Sequence, residues 1–169
     1  MKLNKVFSVI LASLALAACS DIENVVPESG TMLLSQVQET NVIAPSRAEA
    51  SFTGMFTSLG LPSGLNYDTP DDWQFLMINF CNDLEGADAL IPDSNYNWFS
   101  PCGEYSSRSA NYRNPYIRYR APYKLIADAN TFIAGYDLET ADDHAMNMIA
   151  QANALRGYAY LCLAPSFQF

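Results

Sequence analysis

Four stretches of the chain return apolar residues to one side at helical spacing. From Ser46 to Leu59 the recurring positions are Ala48, Phe52, Met55, Phe56 and Leu59, with Pro45 suited to the first turn and Gly60 to the stop. A shorter pattern begins near Asp71, with Asp71 or Thr69 as its cap, and ends by about Asn82 or slightly beyond. It puts Trp73, Leu76, Met77 and Phe80 on one face, so Trp73 is expected in the core. The third pattern runs from Tyr112 or Asn114 to Tyr136 and steps through Tyr112, Tyr116, Tyr119, Tyr123, Ile126, Asn130 and Ile133, a stripe expected to be buried. Pro115 fits a first turn, whereas Pro122 predicts a kink or a split. Asn130, the polar member of the stripe, is expected to bond backbone or a neighbouring helix, because an unpaired buried amide is costly. Thr140 and Asp143 have the spacing of a capping box, with Asp in place of the usual Glu or Gln. Beyond them Ala145, Met148, Ile149, Ala152, Leu155, Ala159, Cys162 and Leu163 form an apolar face that Pro165 is expected to end.

Between the second and third helices, residues 83–111 lose the periodicity and fill with Gly, Pro, Ser, Asn and Asp, with Tyr96, Trp98, Phe99 and Tyr105 among them. A long irregular loop is predicted, and long loops in a packed domain tend to carry function. The fold class expected is mainly α: tetratricopeptide-like antiparallel helix pairs, the last pair about 25 residues per helix, with one aromatic-rich loop.

The N-terminus follows another pattern. Lys2 and Lys5 precede an apolar run from Val6 to Leu16, and Leu16-Ala17-Ala18 leads directly into Cys19. This is a secretory signal ending in a lipobox, cleaved so that Cys19 becomes the acylated first residue; an ordinary signal peptide that happens to hold a cysteine is the alternative. The run falls short of the roughly 20 apolar residues of a membrane helix, so anchoring is expected through acyl chains, each buried methylene contributing about 0.8 kcal/mol. Residues 1–18 are thus the signal peptide, 19–44 a lipidated tether and lead-in, and 45–169 a helical domain. Ser20-Asp21-Ile22-Glu23 resembles the surface-export signal of Bacteroidetes lipoproteins, against the alternative of a polar linker.

Charge narrows the partners. Without Lys2 and Lys5, the nine basic residues fall to seven against eighteen acidic ones, a formal charge of −11, which disfavours nucleic acid. Cys81, Cys102 and Cys162 have no metal-ligand spacing and can form at most one disulfide; Cys162 is expected as a small core residue. His144 is alone and expected on the surface, so neither a zinc site nor a His-based triad can be assembled, and no cofactor is implied.

Three segments then carry a resemblance. Ala48-Glu49-Ala50-Ser51-Phe52-Thr53-Gly54-Met55-Phe56, Tyr123-Lys124-Leu125-Ile126-Ala127-Asp128-Ala129-Asn130 and Ala150-Gln151-Ala152-Asn153-Ala154-Leu155-Arg156-Gly157-Tyr158-Ala159-Tyr160, behind the Cys19 lipobox, resemble in order and spacing the SusD/RagB family of Bacteroidetes outer-membrane lipoproteins. The resemblance implies a non-catalytic protein at the cell surface that binds a nutrient glycan, an oligo- or polysaccharide, and delivers it to a SusC-like TonB-dependent transporter. It also implies that these residues form the N-terminal helical part of a longer fold. Gly157 departs from the family pattern, costing about 1 kcal/mol relative to Ala inside a helix, as do Pro165 and Ser166. A helical-repeat lipoprotein that only docks other proteins is the alternative, and a glycan hydrolase is disfavoured because no acid/base constellation is identifiable.

A glycan site needs flat rings for the apolar faces of sugars and amides or carboxylates for the hydroxyls. Asp93-Ser94-Asn95-Tyr96-Asn97-Trp98-Phe99 has that composition: Trp98 and Tyr96 as platforms, Asn95, Asn97 and Asp93 as hydroxyl partners, against the alternative that Trp98 and Phe99 pin the loop to the helices. Asp83, Glu85 and Asp88 match neither a calcium loop nor a glycosidase pair and are expected as a solvated acidic group. Arg108, Arg113, Arg118, Arg120 and Lys124 hold five of the seven mature basic residues and are expected to form internal ion pairs or a solvated face, with a docking surface as the alternative. Arg156 is expected to pair across the last two helices with a carboxylate or carbonyls.

Overall fold

The computed structural model describes residues 32–61, 73–86, 88, 99–100, 109 and 112–167, and these residues form helices and the turns between them. Five helices are present among them: α1 (Leu34–Ile43), α2 (Pro45–Thr57), α3 (Phe75–Glu85), α4 (Arg113–Ala134) and α5 (Asp143–Phe167). The fold is mainly α, as the periodicity requires.

The α4–α5 pair is the body of the molecule and its most extensive helix contact. The two helices run antiparallel, since Asn130 meets Arg156 at one level and Tyr119 meets Phe167 at another. The predicted α5 face is the observed one: Ala145, Met148, Ile149, Ala152, Leu155, Ala159 and Leu163 are buried, and Cys162 is half-buried. Its cap is Asp142 rather than Thr140. The Asp142 carboxylate accepts the Ala145 N–H at 2.7 Å, while the Thr140 hydroxyl turns back to Asp137. Pro165 does not end α5, which continues to Phe167. The hydrogen bond Pro165 forgoes is to the carbonyl of Leu161, a residue on the solvent side where water can serve.

On α4 the buried face differs from the predicted stripe. Asn114, Ile117, Arg118, Ala121, Pro122, Leu125, Ile126, Ala129 and Phe132 are buried, whereas Tyr112, Tyr119, Tyr123 and Asn130 are exposed. The small residues Ala121 and Ala129 share the core with Ala152 and Ala159 of α5, and the close approach they allow excludes tyrosine rings, whose hydroxyls seek water. Pro122 neither splits the helix nor leaves the core; α4 is continuous through it.

The second predicted helix starts later than its pattern indicates. Gln74 has φ 48°, outside helical space, and its buried side chain donates to the Leu61 carbonyl at 3.0 Å, so α3 begins only at Phe75. Trp73 therefore precedes the helix and is 43% exposed, not a core residue. The buried face of α3 is Phe75, Met77, Ile78, Cys81 and Leu84, with Leu76 and Phe80 outward. α3 runs alongside the start of α4 in the same direction, Asn114 donating to the Cys81 sulfur at 3.0 Å and Arg118 to Glu85 at 2.6 Å.

The lead-in segment contains a helix that its weak periodicity does not announce. α1 has no buried residue, yet it caps α4: Gln38 and Asn41 donate their amides to the carbonyls of Ala134 and Gly135 at 3.1 and 2.8 Å. α2 lays Ala48 and Met55 into the main core, with Phe52 and Leu59 packed against it and Phe56 exposed.

Candidate functional site

The predicted ligand residues Asp93, Asn95, Tyr96, Asn97 and Trp98, and the lipidation residue Cys19, lie outside the described residues. Among those described, chemistry gathers in two places, the α4–α5 seam and a cleft between α1, α2 and α4.

Along the seam, the register of α4 leaves Tyr119 and Tyr123 facing solvent, one turn apart with ring centroids 4.6 Å from each other. Phe167 of α5 meets Tyr119 edge-on at 5.4 Å. Hydrogen bonding with Tyr119 is the main cause that pushes the Tyr123 phenol above its ordinary value. Two turns along, Arg156 donates to the side-chain oxygens of Asn130 and Asn153 at 2.7 and 2.6 Å. Arg156 thus pairs across the helices as expected, with amide oxygens as acceptors. Asn130 bonds a neighbouring helix, from an exposed position.

The basic residues of α4 are mostly held within the chain. Arg118 is buried and donates to Glu85, to Asn82 at 2.9 Å and to Ser166 at 3.0 Å. Lys124 pairs with Asp128 one turn on, and Arg120 lies over the Tyr116 ring, 5.4 Å from its centroid. Arg108 lies outside the described residues. Of the acidic group, Asp83 and Asp88 are exposed, but Glu85 is half-buried and committed to Arg118, a correction to the solvated reading. His144 is on the surface, 3.3 Å from Glu49. Cys162 is a free thiol, and Cys81 is fully buried. Burial pushes the Cys162 thiol up, and a hydrogen bond with Tyr158 partly offsets it. No group of three or more His, Cys, Asp or Glu side chains that could hold a metal occurs among the described residues, and no described helix is long and apolar enough to cross a membrane.

The cleft has a volume of about 390 Å³. Val37, Ala48, Met55 and Phe132 give it apolar walls, while Asn41, Ser51, Lys124, Asp128 and Thr131 bring polar atoms to it and Gly54 leaves one side open. Ser51 and Thr131 donate their hydroxyls to carbonyls of their own helices, Arg47 and Ala127, so their oxygens remain available as acceptors. The sequence shows Lys124 and Asp128 at helical spacing and a glycine inside α2, but that α1, α2 and α4 converge there is legible only in the fold.

No protein-family model matches the chain, and neither the curated proteins nor the solved structures searched contain a match.

Proposed function

We propose that this protein is a surface-exposed lipoprotein of the SusD type, anchored through Cys19 to the outer membrane, that binds a nutrient glycan and delivers it to a SusC-like TonB-dependent transporter. The observation that carries the reading is the order of the Cys19 lipobox and three helical segments along the chain. Two of those segments lie on α4 and α5, and a hydrogen bond from Arg156 to Asn130 joins them. The exposed rings of Tyr119 and Tyr123 add support, since a sugar's apolar face stacks on such rings and its hydroxyls need neighbouring amides.

Affinity electrophoresis of the mature chain through gels containing neutral and acidic polysaccharides tests it. Retardation in at least one gel is expected, and Trp98→Ala is expected to weaken it. Migration unaffected by every polysaccharide, in a chain that still associates with a transporter, leaves a docking protein without a sugar site.

A further inference from the structure

The α1–α2–α4 cleft has the chemistry of a small-ligand site. Its volume of about 390 Å³ falls at the lower end of the roughly 300–1,000 Å³ typical of such sites. The polar atoms it presents are mainly acceptors: the Ser51 and Thr131 oxygens, the Asn41 side-chain oxygen whose amide nitrogen is committed to Gly135, and the Asp128 carboxylate. Lys124, bonded to Asp128 through one of its three N–H groups, is the donor. A ligand matching this pattern carries several hydroxyl donors around a compact body with an apolar side.

We infer that the cleft between α1, α2 and α4 binds a single neutral hexose ring, its hydroxyls on Ser51, Asp128, Thr131 and Asn41 and its apolar face against Val37, with the buried Met55 as part of the wall behind it. The inference rests on the glycan reading above and gives that ligand a one-ring subsite separate from the loop at residues 93–98. Gly54 keeps the mouth open: a Cβ built there meets nothing within 4 Å, so a side chain can start from that position unobstructed.

The test is a titration of the mature chain, carrying ¹³C-methyl methionine, with D-glucose, D-galactose and D-mannose in turn. The Met55 methyl signal is expected to shift saturably with at least one of them, with a Kd of about 1 mM. Met77, in the separate cluster around Cys81, is expected to stay in place. Gly54→Phe removes the shift while the helical circular dichroism is retained, and Asp128→Asn weakens binding about tenfold. No saturable Met55 shift with any of the three sugars, or one that survives Gly54→Phe unchanged, overturns the site. Polysaccharide retardation without a Met55 response removes the cleft and leaves the proposed function standing. A saturable Met55 response in a chain that no polysaccharide retards keeps the cleft and removes the polysaccharide reading.

Discussion

Arg118 ties three segments together, reaching Glu85 and Asn82 on α3 and Ser166 near the end of α5 from a buried position on α4. A planar guanidinium can serve these acceptors at once, and an ammonium cannot. Arg118→Ala is expected to lower the unfolding free energy by about 3 kcal/mol, with Arg118→Lys recovering less than half, read from urea denaturation. Its role was hidden in the sequence because five basic residues within 17 positions look alike until one is buried. Trp73 is hidden for a related reason: its spacing fits the face of Leu76 and Phe80, but the backbone at Gln74 departs from helical space.

The titrating side chains make a second prediction at this scale. Burial pushes the Cys162 thiol above its ordinary 9.0 and the phenols of Tyr136 and Tyr158 above 10.0. The fold therefore holds these protons more tightly than the unfolded chain does. The stability they contribute is whole below about pH 9 and is lost as pH rises through the raised values. The urea midpoint is expected to be flat between about pH 7 and 8.5 and to fall above about pH 9.5. Alkylation by iodoacetamide at neutral pH, followed peptide by peptide in a mass spectrometer, should be slow at Cys162 and absent at Cys81 until the chain unfolds.

Among the elements, α5 was the most legible because alanines and larger aliphatic residues alternate on one face with few competitors. α4 offered two overlapping stripes. Tyrosines counted as apolar point to the wrong one, and the choice is settled by the small residues that α4 and α5 bring to their shared core rather than by anything local. α1 leaves no periodic signal in the sequence because it buries nothing and serves through two amides at the end of α4. Gly157 lies on the solvent side of α5, where an added Cβ meets nothing within 4 Å. Gly157→Ala is accordingly expected to raise stability by about 1 kcal/mol, seen as a higher urea midpoint with an unchanged slope.

At the scale of the whole molecule, α2, α3, α4 and α5 share one main core among the described residues, with a small second cluster of Met77, Cys81 and Leu84 joined by Phe99. The mainly helical fold was readable from the periodicity, whereas the cleft was not, since Ser51 and Asp128 are far apart in sequence and come to one cleft only through the packing of their helices. The proposed function joins this helical body to a lipid on Cys19 and to a transporter in the same membrane. The most direct test is to solubilise outer membranes gently, purify the acylated chain through a C-terminal tag and identify what accompanies it by mass spectrometry. A TonB-dependent β-barrel is predicted in near-equal amount, lost when Cys19→Ala prevents anchoring; an acylated chain that purifies with no such transporter would contradict the account.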